Sequence, residues 1–212
     1  GGKQSLSHLG KIYFGYKVAP KTDLTLNSTI SSGKYTRNRT TVYNWDYSNG
    51  TTDLHSEREA LRTMNKTNLV NSLALDHSFK KDIVLNFTST HSYNSNIADG
   101  AYSESGTAQI ETNNTIAHNF TQNLDFTVPY SKGKTEFGGQ HTHRIIGNEF
   151  HFYDDPNLGD TTFNNFNYFD DITAGYIMQA FKSKTWSINA GYRLEYTHSD
   201  SKNENTNLNV QK

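Results

Sequence analysis

The sequence predicts an all-β fold, an antiparallel up-and-down transmembrane β-barrel segment of about eight strands in four hairpins. Three observations predict it. Apolar and polar residues alternate with a period of two, the apolar share is low while aromatics are plentiful, and short turns exchange regularly with long polar connections.

Strict alternation marks strands with one apolar face. Ile12, Phe14, Tyr16 and Val18 open the series, and Ala19-Pro20-Lys21 turns the chain. Leu24, Leu26, Ser28 and Ile30 follow, separated by Asp23, Thr25, Asn27 and Thr29. Leu69, Leu73, Leu75 and Phe79 lead into the turn Lys80-Lys81-Asp82, and Ile83, Leu85 and Phe87 leave it. Phe120, Leu124, Phe126, Val128 and Tyr130 alternate with Thr121, Asn123, Asp125 and Thr127. Ser131-Lys132-Gly133-Lys134 reverses the chain into Thr135, Phe137 and Gly139. Ile172, Ala174, Tyr176, Met178 and Ala180 precede a turn near Lys182-Ser183-Lys184, and Trp186, Ile188, Ala190, Tyr192, Leu194 and Tyr196 complete the set. Turns within hairpins are short. Connections between hairpins are expected through residues 40–60, 95–108 and 153–165, rich in Asn, Asp, Ser, Thr and Gly. Short turns at one end and long loops at the other are the asymmetry of barrels with periplasmic turns and extracellular loops.

Composition supports a sheet with one apolar face. Leaving out 13 Tyr and adding 15 Gly turns the 33% hydrophobic share into about 34%, against roughly 45–50% in ordinary globular domains. Disorder would also lower the figure, but 13% aromatic residues and only 3 Pro fit strands better. A net charge of −1 with no basic stripe gives no electrostatic case for nucleic acid. The absence of cysteine excludes disulfides and thiolate metal sites. No apolar run approaches the length of a membrane helix, and Gly1-Gly2-Lys3-Gln4-Ser5 does not read as a signal peptide.

In hydrocarbon all backbone groups must be paired, so only a closed sheet survives there. The residues expected to face lipid are Phe14, Leu24, Leu26, Leu85, Phe87, Leu124, Phe126, Val128, Phe137, Ile172, Tyr176, Ile188, Tyr192 and Leu194. Asn123, Asp125, Thr127, Arg193 and Glu195 are expected to line an aqueous lumen. Phe79, Tyr130 and Trp186 sit beside the short turns, where an aromatic girdle belongs. The first strand would descend from the extracellular side and the last ascend to it. Both ends of the chain are therefore expected outside, as in residues 1–212 being one segment of a larger outer-membrane barrel, without the plug and the remaining strands.

Two stretches carry a resemblance. Asn123-Leu124-Asp125-Phe126-Thr127-Val128-Pro129-Tyr130, with Lys132-Gly133-Lys134-Thr135-Glu136-Phe137-Gly138-Gly139, resembles a strand–turn–strand unit of the outer membrane protein beta-barrel family, the TonB-dependent receptor-like barrels of Bacteroidetes-type bacteria. Trp186, Gly191, Arg193, Glu195 and Thr197 match a W-x-x-x-x-G-x-R-x-E-x-T strand of the same barrels, and Asn164-Asn165-Phe166-Asn167-Tyr168 fits ahead of it. The likeness covers roughly residues 60–200. It implies the bacterial outer membrane, a 22-stranded parent barrel, an N-terminal plug, and energy delivered by an inner-membrane complex through the plug region. It also implies uptake of a siderophore, glycan or peptide. No cofactor is expected.

Other constellations carry less. His141 and His143 share a strand face, but no third metal ligand is evident, so polar strand residues near the upper interface are the expectation. Asp154, Asp155, Asn157 and Asp160 depart from the EF-hand spacing, with Pro156 intervening, and read as a solvated loop. Asp170 and Asp171 are strand neighbours pointing to opposite faces and cannot act as a catalytic pair. No nucleophile elbow, P-loop or dinucleotide fingerprint is present, so an enzyme is not expected. Aromatics in the outer connections, Tyr43, Trp45, Tyr47, Tyr102, Phe152 and Tyr153, are the candidates for ligand contact. The competing reading of the alternation is a soluble β-sandwich for adhesion or carbohydrate binding, with the apolar faces packed against each other.

Overall fold

A computed structural model describes residues 2–45, 54–104, 107–153, 162–203 and 208–211. They form one sheet of nine strands in sequential order. Eight are long: β1 (Lys3–Ala19), β2 (Thr22–Trp45), β3 (Leu54–Ser78), β4 (Val84–Glu104), β5 (Thr107–Tyr130), β6 (Gly133–Tyr153), β7 (Thr162–Lys182) and β8 (Ser187–Asn203). β9 (Leu208–Gln211) is a short addition that pairs with the end of β8 and that alternation did not foretell. Every pairing is antiparallel between chain neighbours. The sheet is open, with β1 unpaired along one edge.

The short turns fall where the sequence put them. Pro20 and Lys21 close β1–β2, and Ser131 and Lys132 close β5–β6. A single 3-10 turn, Lys80–Asp82, closes β3–β4, with Lys81 and Asp82 in the left-handed region at φ 63° and 57°. Neighbouring turns are tied together: Ser78 N–H donates to Lys21 O at 2.9 Å and Lys182 N–H to Lys132 O at 2.7 Å.

The long connections are shorter than expected. Strand structure runs to Trp45 and resumes at Leu54, and only residues 105–106 separate β4 from β5. The segment 95–104, expected as loop, is strand paired on both sides. Its Asn, Ser and Gly are weak strand formers taken singly. The ladder on either side holds them, and above a membrane neither face has to be apolar. At 24 residues β5 is more than twice the roughly 9–11 that a spanning strand needs, so the wall continues well past hydrocarbon thickness on this side.

Register divides the side chains into two faces. One row runs Tyr16, Leu24, Leu75, Phe87, Leu124, Gly139, Gly175, Leu194 across all eight long strands. The next runs Lys17, Asp23, Asp76, Asn86, Asp125, Gly138, Tyr176, Arg193 on the other side. The apolar face is the more exposed one: Phe14 is 51%, Ile177 53% and Leu194 66% exposed. On β7 the polar face holds Asp170 at 2% and Ala174 at 4%. No second layer packs on the apolar face among the described residues, so the two-layer sandwich finds no support.

Candidate functional site

Of the fourteen residues expected to share the apolar face, twelve do. Ile172 and Tyr176 lie on the polar face instead. The four residues 183–186 between paired Lys182 and Ser187 make β7 and β8 partners of opposite parity. Ile177, Gly175 and Phe181 therefore align with Tyr192, Leu194 and Ile188. Tyr176 crosses the polar face over Gly138, and its hydroxyl donates to Asp125 at 2.6 Å. The turn length held this parity, but β7 is apolar at both odd and even positions and hid it.

Asn123, Asp125, Thr127, Arg193 and Glu195 lie on the polar face as expected. This face is a paired network through its middle. Arg144 Nε donates to Asp170 at 3.1 Å and a second guanidinium bond reaches the other carboxylate oxygen. Tyr168 hydroxyl donates to the same carboxylate at 3.0 Å. Arg193 donates to Glu195 at 3.0 Å and to Gln140 at 2.9 Å, and Lys134 pairs with Glu136.

Cations separate by type between the faces. Arg37, Arg39, Arg58, Arg62, Arg144 and Arg193 all lie on the polar face. The histidines other than His55 lie on the apolar face, most of them above the dense apolar rows. His91 and His118 stack with centroids 5.5 Å apart, and His143 bonds Asp171 at 2.6 Å. His141 turns to the Thr173 hydroxyl at 3.0 Å. Among the described residues no group of three or more His, Cys, Asp or Glu gathers to hold a metal ion. Residues 154–160, the oxygen-rich loop of the sequence reading, lie outside the described residues.

The outer aromatics are divided. Tyr43, Tyr102 and Phe152 are on the polar face and Tyr153 on the apolar face. Trp45 ends β2 opposite Leu54, and Tyr47 lies outside the described residues. Tyr102 hydroxyl donates to Glu111 at 2.8 Å, Arg58 lies over its ring at 4.7 Å, and Arg62 approaches Glu111 at 3.7 Å. Burial first, and then the bond to Glu111, raises the Tyr102 phenol above its ordinary pKa of 10.0. Alternation of apolar residues does not register these arginines, although Arg37-Asn38-Arg39 and the four-residue step from Arg58 to Arg62 already fix two pairs to one side of a strand.

An antiparallel meander with an exposed apolar face, a charged protected face and strands longer than a bilayer defines the wall of a membrane-spanning β-barrel. The chain belongs to the outer membrane protein beta-barrel family, whose model matches residues 74–212. It is thus a protein of the bacterial outer membrane, with lipid against its wall. Comparison with curated proteins finds no match. Among solved structures, the ferric citrate transporter FecA in the unliganded form superposes with a TM-score of 0.55 at 9% identity, over 98% of this chain and 37% of that one. The ferric yersiniabactin uptake receptor FyuA from Yersinia pestis gives 0.55 at 10% identity, over 99% and 41%. The ferripyoverdine receptor of the outer membrane of Pseudomonas aeruginosa, bound to ferripyoverdine, gives 0.54 at 8%, over 99% and 38%. The shared property is the fold, and the chain spans about two fifths of each structure's length.

Proposed function

We propose that this chain is part of the wall of a TonB-dependent-receptor-like outer-membrane transporter that takes up a nutrient. The observation that carries the reading is the partition of the faces. An apolar row spans all eight long strands, and the next row, turned the other way, is charged and hydrogen-bonded. The apolar face then meets lipid and the polar face lines a water-filled lumen. Residues 1–212 form one segment of a larger barrel, because an open sheet edge cannot sit in hydrocarbon with its backbone groups unpaired. A plug inside the lumen and an inner-membrane energising complex are the partners this reading assigns to the whole protein. Its role is passage, not catalysis. The three structures named above are two receptors and a transporter of iron-bearing ligands by their descriptions, which makes a siderophore the first ligand class to test, with glycans and peptides after it.

These residues contain no cysteine, so a single cysteine can be placed among them and labelled in native outer membranes, in the whole protein with any cysteine elsewhere replaced. Asn123→Cys is expected to react with a charged maleimide and Leu124→Cys to resist it. Equal reaction at both would overturn the assignment of faces. Deletion of the gene is expected to impair growth on at least one limiting iron or carbon source, with restoration by the intact gene. Unchanged growth on every source would overturn uptake.

A further inference from the structure

We propose that the polar face of β2–β4, above the paired network, is a binding site for an anion bearing carboxylate or phosphate groups. The site deepens the transporter reading, since it uses the face that reading turns to the lumen. Its first support is a local excess of positive charge. Lower on the same face three strand cations have acids beside them: Arg144 has Asp170, Arg193 has Glu195 and Lys134 has Glu136. Above, Arg37, Arg39, Arg58 and Arg62 share one face with Lys3 and Lys66. The acid beside them is Glu111, 3.7 Å from Arg62, and Glu104 is the register partner of Arg58. Among the described residues no carboxylate lies within ion-pair distance of Arg37 or Arg39.

The second support is geometry. Lys3, Arg37, Arg62, Gly100, Glu111 and Phe152 form one row across six strands. Gly100 has no side chain, and Tyr102 fills the space this leaves so closely that a Cβ there would lie 2.9 Å from the phenol oxygen. Arg58 is held against the Tyr102 ring at 4.7 Å, yet its buried Nε–H has no hydrogen-bond partner. A buried donor left unmade is costly, and a turn of the Arg58 side chain that brings it to an anion would satisfy it. A guanidinium presents paired donors that match carboxylate and phosphate oxygens two at a time.

The test is calorimetric titration of the whole protein, purified in detergent free of lipopolysaccharide, with citrate and separately with inorganic phosphate. Saturable binding of either is expected, weakening as salt rises. Arg58→Gln with Arg62→Gln should weaken it about tenfold or more, the scale of losing hydrogen bonds to a charged group. Glu111→Gln should strengthen it, a gain that misfolding cannot imitate. No binding of either probe, or binding indifferent to all three substitutions, would overturn the site. The labelling contrast between Asn123→Cys and Leu124→Cys is read in parallel. If that contrast holds while the anions fail to bind, the anion site falls and the lumen stands.

Discussion

At the scale of single residues, the polar face depends on a few close approaches. Gly138 is one: a Cβ there would meet Leu124 O at 2.4 Å and the Asp125 carboxylate at 2.5 Å, with the Tyr176 ring at 3.0 Å. The first obstacle is backbone, so a larger residue forces the strands to shift. Gly138→Ala is expected to destabilise the whole protein by about 1–3 kcal/mol, the usual cost of overpacking. Tyr176→Phe should cost a similar 1–3 kcal/mol, about the value of a hydrogen bond to a charged group. Asp170 is a sharper case, because it is 2% exposed and its charge is held by Arg144 and Tyr168. Arg144→Ala leaves that carboxylate with Tyr168 as its remaining donor, and a loss of about 1–3 kcal/mol is expected, less than for a fully buried pair because the Arg144 side chain is 44% exposed. Urea unfolding in lipid vesicles measures all three. An Arg144→Ala protein as stable as the parent would show that the pair does not hold β6 to β7.

At the scale of elements, the sequence made some features plain and concealed others for physical reasons. Hairpin turns were legible because Pro20, Gly133 and the Lys-rich reversals punctuate clean alternation. Strand faces were legible wherever one parity was apolar and the other was not, as in Asn123 to Tyr130. On β7 both parities carry apolar residues, Ile172 and Tyr176 on one side and Phe169 and Ile177 on the other, so alternation could not choose. The four-residue turn to β8 could have chosen. Upper strand segments were illegible because the membrane no longer requires an apolar face there, and residues 95–104 read as loop by composition alone. Register pairs that stretch with both β3 and β5. Its amides are therefore expected to exchange slowly in deuterated buffer, comparably with the apolar part of β4. Exchange at loop rates across residues 95–104 would contradict the ladder. The arginine site was concealed for a different reason. Its members come from three strands, β2, β3 and β5, and only register brings Arg37, Arg62 and Glu111 into one row.

At the scale of the molecule, the sheet has an apolar surface and an edge, and both need a partner. The apolar side exposes Ile12 at 73%, Tyr192 at 68% and Leu194 at 66%, in rows that continue from strand to strand. A contiguous patch of that size is far beyond the few hundred Å² that soluble monomers tolerate. The β1 edge presents unpaired backbone groups beside that surface, a template for pairing with other chains. Each exposed feature is answered in a closed barrel inside a bilayer, where lipid covers the apolar side and every strand edge is paired. Residues 1–212 produced alone are therefore expected to aggregate in plain buffer and to show strand structure only in detergent micelles or lipid. Circular dichroism and size-exclusion chromatography, run with and without detergent, make the comparison. A monodisperse, strand-rich protein in plain buffer would mean that the apolar rows find cover within the chain itself, and the assignment of that face to lipid would then fail.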